Sequence, residues 1–323
     1  MNAIVPYIQM HQAGLAPEGR PAGVFLLLGP TGTGKTKTVE ALANALHGSE
    51  KHLLKVDCGE FQMEHEVAKL IGAPPGYLGH RETPPLLTQQ KLTSVASEAS
   101  SLSLVLFDEI EKAAPSMTRL LLGVLDKAIL RLGDNTTVNF ERTFIFLTSN
   151  LGAREMQREL LPDFGFEGVV AKSNAEVMGT AKRIALDTSA AGKLAVIGSS
   201  AVRKKFPPEF VNRLDAVITY RPLSAESLAA IVDQQILGLE RHIDNRLEER
   251  AFGLEVTTAA RLYLRDKGTS AEYGARELKR TILRELTQPL AAMLANGEIQ
   301  PESIVQVDVA SDGQRLRLEV EED

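Results

Sequence analysis

Short apolar runs bounded by turn-forming residues recur through the first two-thirds of the chain, at residues 24–28, 53–56, 102–107, 143–148 and 216–220. Each has strand length, and segments with helical spacing separate most of them. That alternation predicts an α/β architecture, a parallel sheet with helices on both faces. The run 102–107 is apolar throughout rather than at every second position, as a strand buried on both faces requires.

After Pro222 the pattern changes. Residues 224–250 predict an amphipathic helix, with Leu228, Ile231, Val232, Ile236 and Leu239 at helical spacing. A short strand is expected over 254–256, then helices over 258–267 and 274–296. Pro289 should kink or restart the last of these, and Gly297 should stop it. Ser311-Asp312-Gly313, between the runs 304–309 and 316–320, predicts a β-hairpin. A domain boundary therefore falls near Pro222, with a large domain over 1–221 and a small α+β domain over 222–323. Residues 165–205 are rich in Ala, Ser and Gly with weak periodicity, and read as a long mobile insertion in the large domain.

Composition changes this picture little. A chain of 323 residues has room for one large and one small domain. Its shares of 44% hydrophobic and 24% charged residues are those of an ordinary globular protein. No apolar run approaches the roughly 20 residues that span a bilayer, so no membrane role is expected. Residues 1–10 lack the features of a signal peptide. One cysteine, Cys58, excludes an internal disulfide and fits a reducing compartment, so the cytoplasm is the expected location. A net charge of −6 gives no overall footprint for nucleic acid and argues against such a partner. Six scattered histidines without a paired spacing give no ground for a zinc site.

The chemistry lies in three segments. Gly29-Pro30-Thr31-Gly32-Thr33-Gly34-Lys35-Thr36 matches G-x-x-x-x-G-K-[ST] and sits between a predicted strand and a predicted helix, the context a phosphate-binding loop needs. Glycines let successive backbone N–H groups point at phosphate oxygens, and the following helix presents its positive end to the same anion. In such a loop Lys35 neutralises the β- and γ-phosphates of ATP and the Thr36 hydroxyl holds Mg²⁺. Leu104-Val105-Leu106-Phe107-Asp108-Glu109 is an apolar strand ending in two carboxylates. Asp108 at the strand edge would support Mg²⁺, and Glu109 would polarise a water for attack on the γ-phosphorus. An added carboxylate suits hydrolysis, because the nucleophile is then water. The third segment, 143–148, ends in Ser149-Asn150, a polar tip able to orient that water or touch the γ-phosphate; taken alone it equally begins a loop.

Together these residues resemble the Clp family of AAA+ unfoldases, in particular the C-terminal motor modules of ClpA, ClpB and ClpC. The similarity runs in order through nearly the whole chain. Arg20-Pro21-Ala22-Gly23 resembles the family's lead into the phosphate loop and Asp57-Cys58-Gly59-Glu60-Phe61 its second-strand motif. Ile71-Gly72-Ala73-Pro74-Pro75-Gly76-Tyr77-Leu78-Gly79 is similar to its pore loop. Asp108-Glu109-Ile110-Glu111-Lys112-Ala113 resembles its Walker B extension, and Leu147-Thr148-Ser149-Asn150-Leu151-Gly152 its sensor 1 segment. Phe206-Pro207-Pro208-Glu209-Phe210-Val211-Asn212-Arg213-Leu214-Asp215 resembles its arginine-finger box, and Tyr273-Gly274-Ala275-Arg276 opens a segment similar to its sensor 2 helix.

The resemblance implies a P-loop AAA+ domain with a small C-terminal lid, and an ATP hydrolase acting on polypeptide substrates as a homo-hexameric ring. It implies that Arg213 reaches the γ-phosphate of a neighbouring subunit and that Arg276 touches it in cis. It also implies that Tyr77 grips the substrate chain in the pore. Two other classes stay open: a nucleic-acid-associated motor, which the acidic balance opposes, and an ATP switch, which an intact Glu109 opposes.

The chain departs from the family at three places. The pore loop continues as His80-Arg81-Glu82-Thr83-Pro84-Pro85, stiffer and more basic than usual. The chain begins at the point where the family has passed its adenine-cradling segment, so either a trimmed piece or an incomplete adenine pocket is expected, with one motor and no N-terminal substrate domain. Phe164-Gly165-Phe166 lies roughly where ClpA and ClpC carry the tripeptide that docks on the ClpP peptidase, but its first position is aromatic; a ClpP-like partner and an ordinary loop contact both remain open.

Overall fold

A computed structural model of the chain describes residues 3–72, 84–160, 180–269 and 274–321. Two units partition it: Met1–Pro30 with Gly34–Arg221, and Thr31–Thr33 with Pro222–Asp323.

The strands of the first unit are β1 (Gly23–Leu28), β2 (Leu54–Asp57), β3 (Ser103–Asp108), β4 (Ile129–Arg131), β5 (Thr137–Asn139), β6 (Thr143–Ser149) and β7 (Ala216–Thr219). Five of them form one parallel sheet in the order β2-β3-β6-β1-β7. Alternate side chains of each central strand enter two separate cores. Val24, Leu26, Leu28, Val105, Phe107, Ile145 and Leu147 face one, while Phe25, Leu27, Leu104, Leu106, Phe144 and Phe146 face the other. This is why the strands are apolar at every position. In the second core Phe25 stacks on Phe146 at 5.3 Å and meets Tyr7, from the helix Val5–Gln12, edge-on at 5.2 Å.

β4 and β5 form a small antiparallel hairpin that three-residue runs were too short to signal. A larger finding lies in residues 180–205, within the stretch read as a mobile insertion: Thr180–Lys205 is one continuous helix. Leu194 and Val202 from it, with Phe206 just beyond, are buried in the first core. Alanine is the strongest helix former, so an Ala-rich stretch needs few apolar residues to hold a helix once one face finds a core. Positions 164–166 lie outside the described residues.

In the second unit β8 (Gly253–Val256) pairs parallel to β9 (Ile304–Val309), and β10 (Leu316–Glu321) returns antiparallel to β9, closing the expected hairpin. The long helix is Ala225–Leu247, started by the Ser224 hydroxyl accepting the Ser227 N–H at 3.2 Å. Thr257 caps the helix Thr258–Gly268 in the same way, at 3.1 Å from the Ala260 N–H. The predicted helix over 274–296 is interrupted. It runs as Ala275–Ile282, widens into a π turn over Leu283–Thr287, and resumes as Gln288–Ala295 with Pro289 in its first turn. The wider turn relieves the clash between the proline ring and the carbonyl four residues back. Leu228, Val232, Leu264, Leu278, Val305 and Val307 are central to the core of this unit.

Candidate functional site

The C-terminal ends of β1, β3 and β6, adjacent in the sheet, carry the three polar segments that the sequence marks out. Ligands of open α/β sheets bind at this edge. β1 ends at Leu28 and the chain turns at once through Gly29 into the loop. Gly34 takes φ 94° and ψ 14° as the residue before the helix Lys35–His47, a left-handed conformation in which an L side chain is strained. Gly29 is needed for a second reason: a Cβ there would lie 2.7 Å from the Tyr220 carbonyl oxygen. The N–H groups and dipole of a helix start favour an anion.

Lys35 opens that helix and is only 8% exposed. Its ammonium donates to the carbonyls of Gly29 at 2.7 Å and Pro30 at 2.9 Å, and to the Asn150 side-chain oxygen at 2.7 Å. A buried ammonium needs acceptors for its protons, and these three supply them. Thr36, one residue on, is half-buried.

Asp108 and Glu109 leave β3 in different directions. Asp108 Oδ1 accepts the Thr148 hydroxyl proton, and the same hydroxyl oxygen accepts the Glu109 N–H at 3.0 Å. Glu109 itself has φ 57° and ψ 48°, left-handed and costly for a residue other than glycine, roughly 1–2 kcal/mol. The surroundings over-determine it: besides the Thr148 bond, its carbonyl accepts the Lys112 N–H at 2.9 Å and its carboxylate pairs with the Lys112 ammonium. The turn throws the Glu109 side chain toward Asn150, whose Nδ2 donates to Glu109 Oε1 at 3.2 Å.

Asn150 is therefore a bridge. One end of its carboxamide accepts from Lys35 and the other donates to Glu109. Its backbone N–H donates to Glu111 Oε1 at 3.0 Å. Lys35, Asp108, Glu109 and Asn150, singled out in separate segments of sequence, thus form one connected network. The sequence motifs include Thr148, Glu111 and Lys112 but give none of them a role of its own. The part of Thr148 depends on β3 lying beside β6, which no local pattern names.

Arg213 lies outside this network. It follows the short helix Pro208–Val211, and its guanidinium pairs with Asp126 at 2.8 Å, both groups partly exposed. Two residues on, Asp215 ties this segment to β1: its carboxylate accepts from Arg20 at 2.5 Å and from the Val24 N–H at 2.8 Å. The lead into the phosphate loop and the arginine-finger box, far apart in sequence, are joined by that carboxylate. Arg276 is the exposed second residue of the helix Ala275–Ile282 in the second unit. Tyr77 lies outside the described residues. Cys58 is fully buried beside this region, its thiol pushed far up first by burial and then by the Asp57, Asp108, Glu111 and Glu109 carboxylates, so it is no nucleophile.

A model of the AAA domain (Cdc48 subfamily) matches residues 20–217, and one of the C-terminal, D2-small domain of ClpB protein matches residues 223–307. The chain belongs to the AAA family, in its Clp branch.

Among Clp-branch relatives, the chaperone protein ClpB of Corynebacterium efficiens is 36% identical over 318 residues, covering 98% of this chain and 32% of the relative. That of Meiothermus ruber is 38% identical over 297 residues, covering 92% and 31%. The chain thus spans about a third of the length of the curated relatives it matches. A solved structure, a closed-state reconstruction of Hsp104 with ATPγS and FITC casein, superposes with a TM-score of 0.75 at 27% identity, covering 99% of this chain and 48% of that one. AAA-family membership carries nucleotide binding with it. Among the described residues no helix is long and apolar enough to cross a membrane.

Proposed function

We propose that this chain is an ATP-hydrolysing motor module that pulls polypeptide through the pore of a six-membered ring of its own copies. The observation that carries the reading is the Asn150 carboxamide, which links the Lys35 ammonium to the Glu109 carboxylate. One rigid side chain thereby coordinates the group expected to hold the γ-phosphate with the group expected to activate water.

In this reading the backbone of Gly29, Pro30, Thr31, Gly32, Thr33 and Gly34 cradles the phosphates and Lys35 binds the γ-phosphate oxygens. Thr36 and Asp108 offer a hydroxyl and a carboxylate, a donor set that fits Mg²⁺, which takes few protein oxygens and completes its shell with phosphates and water. Bound there, the ion would neutralise charge on the β- and γ-phosphates. Water attacks the γ-phosphorus and gives its proton to the Glu109 carboxylate as the bond to the ADP oxygen breaks. Asn150 holds that carboxylate and orients the water. Arg213 of a neighbouring copy and Arg276 of the same copy stabilise the charge that develops on the transferred group.

The domain assignment that goes with this is a large ATPase domain over 1–221 and a Clp-type lid over 222–323. Tyr77 is assigned to grip an extended substrate by side-chain contact, which reads no particular sequence. The relatives are named as chaperones and one neighbour was solved with casein, which supports polypeptide as the substrate; with a single cysteine, the cytoplasm is the setting assigned to it. No described residue favours a ClpP-like peptidase over action as a chaperone alone.

The test is ATP- and Mg²⁺-dependent unfolding of a tagged fluorescent protein, with ATP cleavage followed in parallel. The parent chain is expected to cleave ATP and unfold the tagged protein, and Tyr77→Ala to cleave ATP without unfolding. Absence of ATP cleavage by the assembled parent removes the motor reading; unfolding by Tyr77→Ala removes the grip assignment.

A further inference from the structure

The Walker B segment carries a third carboxylate, Glu111, to which the hydrolytic reading gives no part. It lies in the 3₁₀ turn Ile110–Lys112, two residues past the left-handed Glu109. The turn reverses the chain, so that Glu109 and Glu111 reach Asn150 from two directions. Glu109 Oε1 accepts from the Asn150 side chain and Glu111 Oε1 from its backbone N–H, at 3.2 Å and 3.0 Å.

The second bond matters because of where Asn150 stands. β6 ends at Ser149, whose carbonyl still accepts the Gly29 N–H at 3.2 Å. Asn150 is the first residue beyond the ladder, and the turn that follows directs its own N–H bond, from Ala153, back to the Asn150 carbonyl. The Asn150 N–H is met by the Glu111 carboxylate. A charge-assisted bond to a backbone N–H fixes the peptide plane, and the plane fixes the direction of Cβ. With Cβ fixed, the carboxamide has only two torsions left, and the bonds to Lys35 and Glu109 use both.

The Glu111 carboxylate is committed to this task. Its other oxygen, Oε2, is buried with no hydrogen-bond partner among the described residues, although an unpaired buried carboxylate oxygen costs free energy. The residue also stands among the Asp57, Asp108 and Glu109 carboxylates, all of which act on the buried Cys58 thiol. A fold selecting for stability alone would favour a neutral side chain there.

We infer that Glu111 is a positioning residue for ATP hydrolysis: by holding the Asn150 backbone, it sets the carboxamide that joins Lys35 to Glu109. This rests on the hydrolytic reading above. Glu111 acts through the Asn150 backbone N–H, so its loss should lower kcat while leaving nucleotide affinity in place.

Two variants of nearly equal volume separate this role from simple packing. Glu111→Gln keeps an acceptor at the position of Oε1, while Glu111→Met fills the space without one. Glu111→Met is expected to lower kcat about 10- to 100-fold with KM and nucleotide Kd within about threefold of the parent, in line with one charge-assisted hydrogen bond. Glu111→Gln is expected to restore kcat to within about threefold of the parent. If Glu111→Met fails to fold by its melting curve, Glu111→Asp, whose carboxylate stops one methylene short of the Asn150 amide, should give the same loss confined to kcat. Parental turnover in the methionine variant (or in the aspartate variant where that one is used), or a glutamine variant as slow as either, overturns the inference. So does a loss that falls on Kd rather than kcat. A parent chain that cleaves no ATP fails the hydrolytic reading itself, a different result from any of these.

Discussion

The Lys35 ammonium and the Asn150 side-chain oxygen lie 2.7 Å apart, although 115 residues separate them in sequence. β1 and β6 are neighbours in the sheet, in register from Gly23 opposite Phe144 to Leu28 opposite Ser149, so the residues just past their ends are delivered to one place. Lys35→Ala removes the buried cation and with it the bonds to the Asn150 oxygen and to the Gly29 and Pro30 carbonyls. Nucleotide affinity should fall by roughly 100-fold, as expected for losing charge-assisted bonds worth about 3 kcal/mol. Titration of a fluorescent ATP analogue measures it, and unchanged affinity would place the phosphate site elsewhere.

Glu109→Gln should separate binding from cleavage. The amide keeps the shape and can still meet Asn150, but it cannot take a proton from water. We expect ATP to remain bound while hydrolysis falls by about 10²- to 10⁴-fold. Single-turnover cleavage of bound ATP checks this, and turnover near that of the parent would remove Glu109 as the base.

Arg213 is held by Asp126 on its own chain, in an ion pair open enough to solvent to exchange at little cost. If it serves a neighbour's nucleotide, Arg213→Ala should lower hydrolysis about 10³-fold or more and leave nucleotide binding intact. Mixing this variant with an excess of Lys35→Ala chains provides the check. Intact Arg213 donated by the Lys35→Ala partner should restore activity to the Arg213→Ala site, and failure to do so would count against action in trans.

Gly29 and Gly34 should differ in what alanine does to them. Around Gly34 there is open space for a Cβ, so Gly34→Ala carries only left-handed strain, roughly 1–2 kcal/mol. Gly29→Ala drives a methyl to within 2.7 Å of the Tyr220 carbonyl and must displace backbone. Denaturant unfolding should therefore show a clearly larger loss for Gly29→Ala, and equal losses would contradict the contact.

The pH dependence of stability has a local source in His47. Burial first, and the nearby His52 second, lower the affinity of its ring for a proton. The rings of His47 and His52 stack at 5.3 Å, and His47 Nδ1 is engaged with the Ser97 hydroxyl at 2.8 Å. The unfolded chain binds that proton more readily, so stability should fall as pH drops below about 6.5. His47→Asn should reduce, though not abolish, the slope of the unfolding midpoint between pH 5 and pH 7, since burial first and Arg142 second also lower the His11 ring. This window lies above the range in which carboxylates such as Glu285, depressed by Lys267 and Arg284, begin to contribute. An unchanged slope would remove His47 as the source.

The phosphate loop, the paired carboxylates and the strand that ends in Asn150 were legible in the chain because each is local. A glycine spacing, a run of apolar residues and a polar tip carry their meaning within about ten positions. The same holds for the β9–β10 hairpin. Residues 180–205 were not legible, since Ala-rich sequence without a strong stripe becomes a helix only when Leu194 and Val202 find a core to enter. The order β2-β3-β6-β1-β7 was equally out of reach, because periodicity says that strands exist and not which are neighbours. That order alone places Thr148 between Asp108 and the Glu109 backbone, and Glu111 under Asn150. Sequence decided which groups are able to do the chemistry, whereas distances between groups far apart in the chain were decided by the packing of the sheet, which no local pattern encodes.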